Sequence, residues 1–256
     1  MMEMEKDKNM KNEWQFIADL HTHTGASDHA YSTVLENLQM AKKRGLLALA
    51  VTDHGPVIED SPNLLHFRNL RVLPSEMDGV RLLKGVEANL MDASGKLDLE
   101  DDYLQKLDWV IVSFHKEAIR PMSVEENTQA YLNAVRSPWV DMIGHSGSPA
   151  FPFDEEAVVR EATHCGKVIE VNESSSKSRP GSETACQRII SLCKRYHTRI
   201  CVDSDAHFCS QVGDFPKSSR LLDELQFPKE LVINADIRQL DDYLEERQRQ
   251  KRKCTV

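Results

Sequence analysis

Aromatic side chains make up only 6% of the 256 residues, and positive charge is in deficit, 32 Lys and Arg against 41 Asp and Glu, for a net charge of −9. Nucleic-acid surfaces need a basic groove and aromatic platforms for the bases, so both shortages speak against a nuclease or other nucleic-acid-binding module. No apolar run approaches the roughly 20 residues needed to cross a bilayer. The six cysteines (Cys165, Cys186, Cys193, Cys201, Cys209 and Cys254) contain no Cys-x-x-Cys pair, and no secretory apolar segment precedes them. A reduced, cytoplasmic protein is the natural expectation. Pro/Gly/Ser linkers, internal repeats and low-complexity blocks are missing as well, and a chain of this length suits one domain of barrel size.

What is present is a regular alternation. The charged, Met-rich residues 1–13 read as a frayed or disordered leader, and residues 249–256 as a basic, solvated tail continuing the run Arg247 to Lys253. Between them, 14–248 reads as a single α/β domain. Apolar runs at Trp14–Ala18, Leu46–Val51, Arg81–Val86, Trp109–Phe114, Val140–Gly144, Lys167–Val171 and Thr198–Val202 have strand length. Most are apolar on both faces, as strands of a helix-covered parallel sheet must be. Helices are signalled between them by capping boxes at Thr33-Val34-Leu35-Glu36 and Ser123-Val124-Glu125-Glu126 and by Asp154 as an N-cap. Two more helices are expected over 218–225 and 237–248. Val57 to Val80 has no clear period and reads as a long loop, and such loops in compact domains are usually functional. Asn89 to Asp98 reads as a hairpin around Ser94-Gly95. Seven strand–helix alternations fit a barrel or an open sheet.

Where the ligand-type residues fall decides between these. His21 and His23, His54, Glu87, His115, His145, and Asp205 with His207 sit at the C-terminal ends of six different expected strands. A barrel converges those ends on one mouth, where barrel enzymes place their chemistry. An open sheet would spread them along an edge, so a seven-stranded barrel is the expected fold. Spaced i, i+2 on a strand end, His21 and His23 can face one ion, and His29 follows in a Gly- and Ser-containing loop. Taken singly, His54 or His115 reads as an ordinary satisfied polar residue; six strand ends all finishing in His, Glu or Asp do not. His164 and His197 fall at expected helix C-termini, where the dipole favours imidazolium, and read as structural. His66, in the long loop, reads equally as a substrate contact or as surface. Glu170 and Glu173 read as solvent-facing or supporting carboxylates, and Asp19 and Asp53 as supports of the neighbouring histidines.

The motifs Asp-Leu-His-x-His-Thr, Thr-Asp-His-Gly, Gly-x-Glu-Ala-Asn, Phe-His, Ile-Gly-His and Ser-Asp-x-His occur in order from about Phe16 to beyond Gly213. This set resembles the polymerase and histidinol phosphatase (PHP) superfamily over nearly the whole chain. His29-Ala30-Tyr31-Ser32, Asn127-Thr128-Gln129-Ala130 and Ser178-Arg179-x-Gly181-Ser182-Glu183 are similar to its YcdX-type phosphatases. The resemblance implies a distorted, TIM-like (β/α)7 barrel with a trinuclear metal centre of three divalent ions, zinc first, with Fe2+ or Mn2+ as alternatives. It would place His21, His23, Glu87 and Asp205 on one ion and Glu87, His115 and His145 on a second. His29, His54 and His207 would hold the third. Two departures stand out: Ser146 where the branch more often has Pro, and Asp203 where Gly is common, which adds a carboxylate near the site.

Phosphate monoesters resist hydrolysis so strongly that enzymes supply accelerations of up to about 10^21-fold. A metal cluster suits such chemistry, because ions can share a hydroxide nucleophile, with Glu87 and Asp205 as oxygen ligands, while another neutralises the phosphoryl oxygens. Arg179 is the candidate phosphate clamp, since a guanidinium matches phosphate bidentately, although an exposed loop arginine is the plainer reading. No general acid is evident. The expected activity is hydrolysis of small phosphomonoesters by a phosphatase without membrane attachment, self-association being left open. The alternatives are a histidinol phosphatase, a PHP phosphodiesterase or nuclease, and a non-catalytic metal scaffold, which should have lost ligands; none of the nine is missing.

Overall fold

A computed structural model of the protein describes residues 14–59 and 61–254, so the leader expected over 1–13 lies outside the described residues. The chain runs β1 (Ala18–Asp19), α1 (Val34–Lys43), β2 (Ala48–Val51), α2 (Leu64–Asn69), β3 (Glu76–Met77) and β4 (Val80–Asn89). It continues through α3 (Asp101–Leu104), β5 (Trp109–Ser113), α4 (Val124–Arg136), β6 (Met142–Ile143), α5 (Glu155–His164) and β7 (Val168–Asn172). Then come α6 (Ser175–Ser178), α7 (Glu183–Tyr196), β8 (Ile200–Asp203), α8 (Pro216–Glu224) and α9 (Ile237–Cys254). Both expected capping boxes form: Glu36 N donates to Thr33 Oγ1 and Glu126 N to Ser123 Oγ, each at 3.2 Å. Asp154 caps α5 by accepting from Ala157 N.

Seven strands lie parallel in the order β1-β2-β4-β5-β6-β7-β8, with β3 added antiparallel to β4. The sheet nearly closes on itself. At the seam between β8 and β1, Thr22 bridges Ala206, and the buried Asn234 side chain stitches the gap. Its Nδ2 donates to Ala18 O and Val202 O, and its Oδ1 accepts from Val202 N. The backbone of the same segment takes part, Ile17 N donating to Asn234 O and Ile233 N to Ile200 O, each at 2.9 Å, so a short piece of chain fills the seam where β8 and β1 do not pair. Strand alternation sorts the residues: Ala48, Ala50, Leu83, Trp109, Ile111, Met142, Val168 and Cys201 share the inner core. Val112, Ile143, Ile169, Val171 and Val202 pack outward beneath α4, α5, α7 and α8.

Three expectations are revised. The first strand, expected over Trp14–Ala18, is confined to Ala18–Asp19, because Trp14 and Phe16 leave the sheet and stack on each other, Phe16 meeting Phe215 edge-on. The loop expected over 57–80 holds α2, capped by Asn63, a 3-10 turn at Leu70–Val72 and β3; each is too short to leave a period in the sequence. The basic run Arg247 to Lys253 is not a free tail but the last turns of α9, which crosses the barrel's N-terminal end. There Arg247 is 2% exposed and Asp141, just before β6, receives both Arg247 Nε at 3.0 Å and Lys251 Nζ at 2.9 Å. A buried carboxylate needs such partners, so Arg247 and Lys251 belong to the domain, while Arg249, Arg252 and Lys253 on the same helix stay exposed and residues 255–256 lie outside the described residues.

Candidate metal centre

At the opposite end of the barrel the ligand-type residues converge. Glu87 is fully buried on the inner face of β4, near its C-terminal end. Its Oε1 lies 2.6 Å from His145 Nε2 and 3.3 Å from His115 Nε2. Its Oε2 lies 2.8 Å from His54 Nδ1, 3.4 Å from His21 Nε2 and 3.6 Å from His23 Nε2. Asp205 Oδ1 adds contacts of 3.2 Å to His23 Nε2, 3.7 Å to His21 Nε2 and 3.6 Å to His207 Nδ1. His29 Nε2 is 3.0 Å from His54 Nε2, and its ring lies 4.9 Å from that of His207. All nine residues singled out from the sequence therefore meet in one place.

Two of them require a break in strand alternation. Ala18 and Leu20 face the inner core, yet the next inward residues are His21 and His23, so the chain changes face between Leu20 and His21. His145, after β6, is carried inward by a backbone at φ 20°, held by His145 N donating to Glu170 Oε2 at 2.6 Å. Asp205 also sits at positive φ, 54°. Such conformations cost of order 1–3 kcal/mol each and persist where surrounding structure imposes them, typically at functional sites.

The donor set fits divalent cations. Among the described residues, buried polar atoms without a hydrogen-bond partner include His21 Nε2, both ring nitrogens of His23, His54 Nδ1, His115 Nε2 and Glu87 Oε2. Some lie within ion-pair distance of one another, as His54 Nδ1 and Glu87 Oε2 do at 2.8 Å, but none makes a hydrogen bond; leaving a buried polar group unsatisfied costs about 1–3 kcal/mol, so six such atoms at one spot call for a common partner. Three overlapping groups have donor atoms within 4.8 Å of one another: His23/His54/His207, His21/His23/Glu87 and His54/Glu87/His115. Protonation points the same way. Burial raises the Glu87 carboxyl, but His115, His21, His145 and His54 outweigh it and hold it well below the usual range. Asp205 is likewise held low against its burial, chiefly by His21 and by its contacts with His23 and Arg179. Burial, then His54, keeps His23 well below the ordinary imidazole range, and burial with Arg179 brings His145 down to about 4. His21 is pushed up instead, because Glu170, Glu87 and Asp205 outweigh its burial.

The supporting residues divide in ways the sequence left open. Glu170 is buried on the inner face of β7 and bonds His21 Nδ1 at 2.7 Å, leaving His21 Nε2 toward Glu87. Glu173 instead accepts from Lys217 N and Ser218 N at the start of α8. Asp53 accepts from Thr24 N, Thr24 Oγ1 and Ser27 Oγ and so shapes the loop that carries His29. Asp19 faces away from the histidines and ties Ser204 and Gly213 to the seam. Asp203 also turns into the seam, accepting from Leu20 N at 2.6 Å; burial, Glu170 and Asp19 push its carboxyl well above the usual range. The extra carboxylate thus points away from the mouth. His66, with its side chain 26% exposed, lies 3.3 Å from Asp53 Oδ2. His164 ends α5, and His197 follows α7 as a left-handed cap, φ 56°. Arg179, just after α6, reaches Asp205 Oδ2 at 3.5 Å with its side chain 16% exposed. A cleft of about 970 Å³ opens over the centre, lined by His29, His54, His115, Asp205, His207 and Arg179 together with Ile58, Pro149, Ala150 and Pro180. Lys116, not singled out from the sequence, stands at its edge; its position directly after His115 was the available signal.

Comparison with known proteins agrees with this geometry. The PHP domain profile matches residues 19–174. A "Probable phosphatase" of Clostridium botulinum (strain Okra / Type B1) is 46% identical over 230 residues, covering 90% of this chain and 95% of that protein. One from Acetivibrio thermocellus is 46% identical over 239 residues, covering 93% and 99%. The fold is similar to histidinol phosphate phosphatase from Lactococcus lactis subsp. lactis, solved with zinc, L-histidinol and phosphate. That match has a TM-score of 0.61 at 18% identity over 82% of this chain and 94% of that one, a likeness of fold. Among the described residues no helix is long and apolar enough to cross a membrane. A profile match over more than half of the sequence, and relatives at this identity along nearly all of it, make the chain a member of the PHP domain family.

Proposed function

We propose that this chain, a phosphoric-ester hydrolase by its family, is a metal-dependent phosphatase that hydrolyses small phosphomonoesters at a trinuclear centre. The observation that carries the proposal is the group of buried, unpartnered imidazole and carboxylate atoms around Glu87. His21, His23, Glu87 and Asp205 would hold one ion, Glu87, His115 and His145 a second, and His29, His54 and His207 a third. Zinc suits the imidazole-rich set best, with iron or manganese as alternatives. Divalent ions bound there supply a water ionised near neutral pH and positive charge against the phosphoryl oxygens.

The chain's own contribution is placement. Glu87 offers two oxygens where an imidazole offers one lone pair, and because Oε1 faces His115 and His145 while Oε2 faces His21, His23 and His54, it would serve two of the ions. Glu170 orients His21, and Asp53 orders the loop bearing His29. Arg179, at the cleft wall beside Asp205, would take two phosphate oxygens and orient the scissile group. The apolar wall of Ile58, Pro149, Ala150 and Pro180 leaves room for the organic part of one small molecule, the cleft volume falling within the range of small-ligand sites.

The test has two arms. Elemental analysis of protein purified without chelator should find three divalent ions per chain; a folded, active preparation with one ion or none would overturn the trinuclear centre. A phosphomonoester panel that includes L-histidinol phosphate, set against bis-p-nitrophenyl phosphate and single-stranded DNA, should show monoesters turned over fastest. Faster cleavage of diesters or nucleic acid would replace the phosphatase reading by a phosphodiesterase or nuclease one. A strong preference for L-histidinol phosphate, the reaction suggested by the Lactococcus neighbour, would narrow it to a histidinol phosphatase.

A further inference from the structure

His115 differs from His21 in how its outer nitrogen is held. Its Nδ1 meets no carboxylate but Asn89 Oδ1, at 2.7 Å, while its Nε2 is buried without a partner near Glu87. An amide can present either its oxygen or its NH2 group, and each choice imposes a different tautomer on the imidazole it faces. The choice is fixed one residue further out. Asn89 Nδ2 donates to Asp98 Oδ2 at 2.7 Å and to Gly55 O at 3.3 Å, both of which only accept. The NH2 must therefore face Asp98 and the oxygen must face His115, so Nδ1 carries the hydrogen and Nε2 keeps its lone pair.

Asp98 itself is held in place. It closes the hairpin in which Leu90 bridges Leu97, accepts from Asn89 N at 2.8 Å through Oδ1 and from Val57 N at 3.2 Å through Oδ2. A Cβ on Gly55 would overlap the Asp98 carboxylate, so the Thr52-Asp53-His54-Gly55 turn is glycine where the carboxylate passes. Asp98 thus touches both the residue that orients His115 and the segment directly after His54.

We infer that Asp98 is a positioning residue: through Asn89 it sets the tautomer of His115, and through Gly55 and Val57 it holds the turn that presents His54. The inference rests on the proposed role of His115 and His54 as metal ligands. Carboxylates and carbonyls behind a ligand histidine typically matter about 10–100-fold in metal affinity or activity. Here the carboxylate would act through an intervening amide.

The experiment uses the 15N-labelled full chain, metal-free and then titrated with zinc against a chelating dye. Long-range 1H–15N correlation spectra, recorded where the imidazoles are neutral, report which ring nitrogen of His115 carries hydrogen. In the wild-type protein it should be Nδ1. In Asp98→Asn, residue 98 can donate as well as accept, so the Asn89 amide is free to turn over. The Nε2–H form should then appear and zinc affinity fall by about 10–100-fold. Asp92→Ala, which removes the acceptor to which Ser94 N donates in the turn of the same hairpin, should leave the tautomer unchanged. A wild-type His115 protonated on Nε2 overturns the inference even if Asp98→Asn fails to fold. So does a folded Asp98→Asn protein with the wild-type tautomer and zinc affinity. Because the tautomer is read without metal or substrate, an inactive enzyme would count against the proposed function and leave this result standing.

Discussion

Replacing Glu87 by glutamine changes almost nothing in volume and removes one charge at the point where five imidazoles meet. Its Oε1 serves His145 and His115, and its Oε2 serves His54, His21 and His23. No cavity is created, so the large-to-small penalty of core substitutions does not enter. What is lost is a carboxylate whose two oxygens face opposite halves of the donor set. A charge-assisted contact is worth about 1.5–3 kcal/mol, and an amide offers one acceptor oxygen where the carboxylate offers two. Each ion that shares Glu87 should therefore bind about 10–100-fold more weakly, at 1.4 kcal/mol per factor of ten. The two losses should occur together, because one side chain would serve both of the proposed sites. Elemental analysis after gel filtration should find the ion held by His29, His54 and His207 best retained, with turnover of a phosphomonoester abolished. Circular dichroism on the same sample separates loss of metal from loss of fold, since ions that bind only the folded state also stabilise it. A folded Glu87→Gln protein with three ions and wild-type kcat would show that Glu87 is not the shared ligand.

Chelation alone should lower thermal stability: each ion present at 100 times its Kd contributes about 2.7 kcal/mol, so losing even one should drop Tm by about 5–11 °C for a domain of this size. An unchanged Tm after verified metal removal would count against a folded-state site. Arg179→Ala should cost about 10–100-fold in kcat/KM for phosphomonoesters, the worth of a charge-assisted contact, and Arg179→Lys should recover little of it because an ammonium lacks the bidentate fork; steady-state kinetics showing no loss would remove Arg179 from the site. Lys167, donating to Ser137 O and Val140 O beneath β7, is pushed down to about 7 by burial and by Arg247 alongside, against the pull of Asp141. Between about pH 7 and 10.5 the unfolded chain therefore holds a proton that the folded chain has released, so this residue makes stability rise with pH across that window. Thermal melts of wild type and Lys167→Met across the window should differ in slope, and parallel slopes would refute the assignment.

Much of the centre was legible because barrel geometry converts sequence position into spatial position. Each apolar run followed directly by His, Glu or Asp marks a strand whose C-terminal end opens on the mouth. That single regularity selected His54, His115, His145, Asp205 and His207 without any contact information. The bottom of the barrel was harder. Nothing in the run Arg247 to Lys253 tells a solvated tail from the end of an amphipathic helix, because the deciding partner, Asp141, lies more than a hundred residues earlier. Asn234, which closes the seam, stands in a segment with no regular pattern, and its role depends on two strands meeting in space.

The supporting residues show where a stricter use of strand alternation would have gone further. Counting inward along β4 in steps of two from Leu83 passes Gly85 and Glu87 and arrives at Asn89; along β7, Val168 leads to Glu170. Both steps are available from the sequence once the inner face is assigned, and both lead to residues that hold a histidine of the centre. A carboxylate or amide on the inner face of a strand that is otherwise apolar on both sides cannot reach solvent, so it must have a buried partner; at the mouth of this barrel the partners on offer are imidazoles. Asp98 escapes that rule because it acts from a hairpin outside the seven parallel strands, at a distance fixed by turn geometry and not by a strand period. The tautomer of His115 is thus set by a residue that neither strand spacing nor the position of a strand end could have selected.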